Sequence, residues 1–266
     1  MKKLVVFVIG FIIIFTNIGF AAEKSMTSFI DGSMSSKGVV NVKYLSANNK
    51  KLKLVVEKEQ AKYIYNLKGD DSIESFPLQL NNGQYKISVL ENIEGKSYKP
   101  VLSSSLEVEL DDPKKIYLNS IQNIQWDENT KAVQKAKELT KNLKTDEEKI
   151  QAVYAYVVKN VKYDYDKIGN LNTDYVPVVD ETFKSNKGIC YDFSSMFAAM
   201  LRSLDIPTKL VKGYTKNAEG YHAWNEVLMN GKWVVIDTTY DSQMDANNKK
   251  YTMSKDAKVY DKVNEY

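Results

Sequence analysis

From residue 24 to about 112, apolar and polar positions trade places in short runs. Val39-Val40-Asn41-Val42-Lys43-Tyr44, Lys51-Leu52-Lys53-Leu54-Val55-Val56 and Lys62-Tyr63-Ile64-Tyr65 are rich in β-branched and aromatic residues and partly alternate. Tyr85 to Leu90 and Leu106 to Leu110 continue the series. That pattern marks strands with one buried face. Asn48-Asn49, Gly69-Asp70 and Asn81-Asn82-Gly83 separate them as turns. Roughly five to seven strands at this spacing predict a small β-sandwich over 24–112. No constellation of catalytic residue types falls within it. It reads as an accessory module, facing a wall or a partner, or as a spacer.

Asp111-Asp112-Pro113 closes that block, and residues 113–127 read as an irregular linker. The period then changes from two to three or four. Ala132, Val133, Ala136, Leu139 and Leu143 share one face of a charged helix. Thr145-Asp146-Glu147-Glu148 has the form of a capping box, and Ile150, Val153, Val157 and Val161 follow at helical spacing. A third helix begins near Gly188, with Ile189, Phe193, Met196, Phe197, Met200, Leu201 and Leu204 as its apolar stripe, and Asp205-Ile206-Pro207 stops it. Three strand-like runs follow, Thr208 to Tyr214, Tyr221 to Leu228 and Lys232 to Thr238. Asn230-Gly231 between the last two is a strong hairpin signal. Residues 128–266 are therefore a second, α+β unit, and the fold class of the whole chain is α+β.

Register places side chains. With Asn230-Gly231 as a two-residue turn, Met229 pairs with Lys232, and the pairing runs on to Trp224 opposite Asp237 and His222 opposite Thr239. Alternation then points all four of those residues to one side. His222 and Asp237 become diagonal neighbours, roughly 7 Å apart between backbones and within side-chain hydrogen-bonding reach. A slip of one residue would put them on opposite faces.

Two counts narrow the chemistry. The chain of 266 residues has one cysteine, Cys190, and one histidine, His222, so neither an internal disulfide nor a Cys/His zinc site can form. No metal or cofactor is implied, since the dinucleotide glycine fingerprint and the P-loop are missing. Cys190 sits two residues after Gly188, in the first turn of its helix, where unpaired N–H groups and the helix dipole favour a thiolate. A free cysteine can also be a buried, inert core residue. Here the only thiol lies at a helix start and the only imidazole where a hairpin presents it to an aspartate. Taken together, these favour a nucleophile and its base.

Composition adds exclusions. Hydrophobic residues at 43% with 27% charged exclude long disorder. The net charge is +3 and Arg202 is the only arginine, which argues against nucleic acid as a partner. Lys2 and Lys3 precede the apolar run Leu4 to Phe20, and Gly19-Phe20-Ala21 offers small residues for cleavage after Ala21. Residues 1–21 therefore read as a signal peptide and the protein as secreted, without an integral membrane segment after cleavage. The alternative is an uncleaved anchor, the run being near the minimum length for spanning.

Gly188-Ile189-Cys190-Tyr191-Asp192, the helix end from Ala199 to Pro207, Gly213-Tyr214, His222-Ala223-Trp224-Asn225-Glu226-Val227 and Trp233 to Thr239 together resemble the bacterial transglutaminase-like superfamily, from about Thr145 to Asp241. The resemblance implies a papain-like α+β core with Cys190 as nucleophile, His222 as general base and Asp237 as its orienter. It further implies the Cys190 N–H as oxyanion donor, with Tyr163 assisting there or simply packing. Trp224 is implied either to wall the site or to pack in the core. One departure stands out: Asp205 occupies the place where the family has glycine before Ile-Pro. The implied function is a secreted enzyme acting on amide bonds of surface proteins or cell-wall peptides through a thioester, by transfer or hydrolysis. Its partners would be protein or peptide substrates and the cell wall. The alternative from another class is a non-catalytic adhesion or scaffold protein that keeps this core as a relic.

Overall fold

A computed structural model describes residues 28–46, 49–172 and 174–266; the leader expected over 1–21 lies outside the described residues. The first part of the chain forms β1 (Phe29–Asp31), β2 (Val39–Leu45), β3 (Leu52–Lys58), β4 (Ala61–Leu67), β5 (Asp70–Pro77), β6 (Gly83–Glu94) and β7 (Ser97–Val108). They make two antiparallel sheets, in the orders β1-β2-β5 and β4-β3-β6-β7. The alternation read from the sequence decides the inward faces: Val40, Val42 and Phe76 of one sheet, and Leu54, Val56, Ile87 and Val89 of the other, are fully buried in the same core.

Strands β1 and β5 were not legible from the pattern. In β5 an inward position is held by Glu74, which is buried and accepts hydrogen bonds from the Lys68 N–H at 2.9 Å and from Gln122 Nε2 at 2.9 Å. A carboxylate satisfied by these donors replaces the apolar residue that the pattern requires.

The stretch from 113 to 127 is packed rather than loose. Pro113–Leu118 is a 3-10 turn capped by the Asp112 side chain, and Ile116, Ile121 and Ile124 are buried. Its carbonyls hold the following unit: that of Asn119 accepts from Arg202 Nη1 at 2.6 Å and that of Asn123 from the Ser195 hydroxyl at 2.7 Å. Arg202 is itself buried, and its other nitrogens reach the carbonyls of Thr208 and Tyr266. The chain's one arginine thus ties segments together.

Then come α1 (Lys131–Thr140), α2 (Asp146–Asn160), β8 (Lys162–Tyr163), α3 (Tyr165–Ile168), α4 (Val179–Ser185), β9 (Lys187–Gly188) and α5 (Cys190–Arg202). Both halves of the Thr145–Glu148 capping box are made, at 3.2 and 2.9 Å. In α5 the stripe Phe193, Met196, Phe197, Met200 and Leu201 is wholly buried. In the turn after α5, Asp205 has φ 61°, a left-handed conformation that explains why glycine suits this position and aspartate tolerates it. Last are β10 (Thr208–Thr215), β11 (Ala218–Met229), β12 (Lys232–Ile236), α6 (Thr238–Ala246) and β13 (Tyr260–Glu265), with the strands in the order β12-β11-β10-β13. Among the described residues no helix is long and apolar enough to cross a membrane.

The two parts share one continuous hydrophobic core. Tyr63 and Tyr65 of β4 meet the Tyr266 ring edge-on at 5.8 and 5.9 Å. A smaller cluster of Val211, Trp224, Val235 and Tyr260 is separate from that main core. Gly213 lies against it, where a Cβ would fall 2.0 Å from the Asp261 carbonyl oxygen and 2.9 Å from the Trp224 ring. Backbone cannot yield as a side chain can. Gly213→Ala is therefore expected to destabilise by more than the ~1–3 kcal/mol of ordinary overpacking, read as a lowered urea midpoint.

Candidate active site

Cys190 opens α5 and is partly exposed. What places it is the short parallel pairing of β8 with β9, which sets Tyr163 beside Gly188. A Cβ on Gly188 would stand 2.6 Å from that of Asp192, so the chain can close this turn only with glycine. The Asp192 carboxylate is fully buried and accepts the Ile189 N–H at 2.8 Å, capping the helix from within its first turn. It also accepts from Lys167 Nζ at 2.7 Å and from the Tyr175 hydroxyl, tying the loop after β8 to the start of α5.

His222 lies on β11 opposite Gly213 of β10, and Asn225 on the same strand donates to the carbonyls of Ser194 in α5 and Lys209 in β10, each at 3.0 Å. That amide locks the strand bearing the imidazole to the helix bearing the thiol. His222 Nε2 is 2.9 Å from Asp237 Oδ2. Burial works against a charged imidazole, but its hydrogen bond to the Asp237 carboxylate and then the influence of Cys190 outweigh it and hold His222 up at about 10. With Nε2 engaged by the carboxylate, Nδ1 is the nitrogen left for the sulfur.

The hairpin register holds from Met229–Lys232 to Asn225–Ile236, across a turn whose residues Asn230 and Gly231 both have positive φ, as a tight hairpin turn of this kind requires. Beyond Ile236 the expected pairing fails. Trp224 faces Val211 and His222 faces Gly213, both on β10, while Thr238 and Thr239 are the first residues of α6. The cause is Asp237, whose Oδ1 accepts the Tyr240 N–H at 3.0 Å and caps a helix where the strand was expected to continue. The His–Asp contact is made all the same, by a carboxylate at a helix start and not by diagonal strand neighbours.

Asp237 is fully buried, and its Oδ2 accepts a second hydrogen bond from the Tyr260 hydroxyl at 3.0 Å. That hydroxyl in turn accepts from Asn217 Nδ2 at 3.1 Å. Tyr260 and Asn217 escaped the sequence reading because they lie on other segments and carry no local signal. Tyr260→Phe removes one donor from a buried carboxylate and should cost about 1–1.5 kcal/mol of stability. It should also lower turnover about tenfold without abolishing it, because the imidazole keeps its own bond. Melting curves and kcat on one substrate check both.

Tyr163 is half-buried next to Cys190. Burial, and then the charge of Cys190, push its hydroxyl up to about 12. Trp224 is 1% exposed, stacks on His222 with centroids 6.4 Å apart and meets Tyr260 edge-on at 5.0 Å. It backs the imidazole and offers no surface to a substrate. Exposed aromatic area is supplied instead by Tyr214 and Tyr221, neighbours of Gly213 and His222 in the chain, with rings 5.4 Å apart.

A thiol at a helix start, an imidazole near it and a buried carboxylate behind the imidazole make an arrangement able to support nucleophilic chemistry at sulfur. Residues 133–238 match the family model of the transglutaminase-like superfamily. Over those residues the chain is similar to transglutaminase-like domains. It is similar to UPF0252 protein MJ1282 of Methanocaldococcus jannaschii, 30% identical over 119 residues, covering 40% of this chain and 34% of that one. It is also similar to the kyphoscoliosis peptidase of Mus musculus, 24% identical over 126 residues, covering 43% of this chain and 19% of that one. The chain thus matches about a third or less of the length of these curated relatives. Among solved structures, the periplasmic domain of TgpA from Pseudomonas aeruginosa aligns with a TM-score of 0.40 at 14% identity, over 80% of this chain and 93% of that one. Red sea bream transglutaminase aligns with a TM-score of 0.33 at 13% identity, over 75% and 47%.

Proposed function

We propose that this protein is a secreted cysteine enzyme that cleaves or exchanges amide bonds of surface proteins or cell-wall peptides through a thioester on Cys190. The observation that carries the reading is the His222 ring, bonded through Nε2 to buried Asp237 and near enough to Cys190 for the thiol to affect its titration. Export rests on the leader pattern of residues 1–21.

The chemistry follows from the layout. The Cys190 thiolate attacks the amide carbonyl carbon, and the carbonyl oxygen takes the negative charge. The Cys190 N–H, at the free start of α5, donates to that oxygen, with Tyr163 close by. The carbon–nitrogen bond breaks as the imidazolium of His222 gives its proton to the leaving amine, and a thioester remains. Water or a primary amine then attacks the thioester, His222 takes a proton from it, and the thiolate leaves. Asp237 fixes the tautomer throughout. Trp224 keeps water from the back of the ring.

The deciding experiment is mass spectrometry of protein substrates incubated with residues 22–266, with and without a primary amine. Incorporated amine indicates a transferase, a gain of about one dalton a deamidase, and chain cleavage a protease. No change in any substrate overturns the enzymatic reading and favours the scaffold.

A further inference from the structure

We propose that Lys212 recognises a carboxylate on the substrate, so that the amides attacked at Cys190 are those with a carboxylate close to the reacting carbon. The inference rests on Cys190 being the nucleophile, as proposed above. Lys212 belongs to β10, paired with Ala223 and next to the Gly213–His222 pair. Its Nζ lies 3.4 Å from the centroid of the Tyr191 ring and 5.4 Å from that of Tyr266. Tyr191 follows Cys190 directly, and Tyr266 is braced from behind by Tyr63 and Tyr65.

The contrast with the neighbouring lysines makes the argument. Lys209 is paired with Glu226 and Glu265, Lys255 with Asp241, and Lys167 with Asp192. Lys212 is half-buried, yet among the described residues no carboxylate lies within ion-pairing distance of it. Aromatic faces hold an ammonium without neutralising it. Burial draws Lys212 down to about 8, partly offset by the charge of Cys190. A cation kept unpaired in an aromatic box, beside a nucleophile, is arranged for an anion that arrives from outside.

The lone thiol allows a test without a known substrate. Thiolate sulfur displaces iodide from iodoacetate, which is anionic, and from iodoacetamide, its neutral counterpart of nearly equal size. The ratio of the two alkylation rates reads anion recognition at Cys190. Changing Lys212 to glutamine should lower that ratio by about tenfold, the worth of one charged hydrogen bond, and Lys212→Arg should restore most of it. A ratio unchanged in Lys212→Gln, whether both rates stay or fall together, overturns the proposal. Should Lys212→Gln not fold, protection of the wild-type protein from iodoacetamide decides. N-acetylglycine offers a chain-end carboxylate and N-acetylaspartic acid α-amide a side-chain one. Protection by either supports the proposal and names the source, and protection by neither overturns it. A thiol that reacts with neither reagent until unfolded overturns this inference together with the reading of Cys190, an outcome distinct from a reactive thiol without anion preference.

Discussion

His222→Ala is expected to abolish turnover and to remove the reactivity of Cys190 toward iodoacetamide at about pH 6, where an ordinary free thiol is almost wholly protonated. No second histidine exists to take over as base, and no second thiol to blur the readout. The same imidazole sets the alkaline limit. Burial alone would pull His222 down, but Asp237 and Cys190 together hold it at about 10, above its ordinary value of 6.5. A raised value means that the folded state binds the proton more tightly than the unfolded chain does. The stability this contributes is full below about pH 6.5 and is lost as pH rises through about 10. Turnover falls on the same limb, because the leaving amine loses its proton donor. A melting-temperature series and a kcat profile across that range should decline together in the wild-type protein, and between about pH 6.5 and 9 the decline in stability should be smaller in His222→Ala. A native alkylation profile that rises only above about pH 8, and is the same in both proteins, would remove His222 from the chemistry.

Asp237→Asn is expected to lower kcat by about four orders of magnitude while leaving most of the fold in place. The asparagine oxygen can still accept the Tyr240 N–H and cap α6. Its amide nitrogen, however, then faces two donors, His222 Nε2 and the Tyr260 hydroxyl, where the carboxylate accepted both. The ring must turn its acceptor nitrogen toward the amide, which leaves Nδ1 protonated in the neutral state and unable to take a proton from Cys190 or from an incoming water. Circular dichroism and kcat together make the check. Near-normal turnover in a folded variant would exclude Asp237 as orienter and return the site to a Cys–His pair.

The two largest expected effects thus fall on residues that sequence spacing had already singled out, and the smaller ones on residues it had not. Cys190 announces itself because its signals are local: a glycine at the turn, an apolar stripe that starts a helix, a thiol in the first turn. The Asn230-Gly231 hairpin announces itself because both residues must adopt positive φ. From that register the closeness of His222 and Asp237 was legible, although its route was not, since a cap on α6 competed with one more strand residue and prevailed. Tyr260, Asn217 and Lys212 could not be read in advance. Their partners lie on other segments, and nothing in a single strand says which side chain a neighbouring strand will present to it.

By itself, then, the sequence determined what depends on short range: most of the strands and helices, where they begin, which faces are apolar, and that the chain has a single thiol and a single imidazole. Only the tertiary structure decided what depends on closing long loops. It packed the stretch from 113 to 127 into the core, satisfied the buried Glu74 with donors from outside its own strand, and backed His222 with Trp224 and Tyr260. It also left Lys212 between two tyrosine rings with no carboxylate in reach among the described residues. Local preferences act through the backbone of a few neighbouring residues, whereas a buried charge finds its partners only after the whole chain has settled which distant groups share its surroundings.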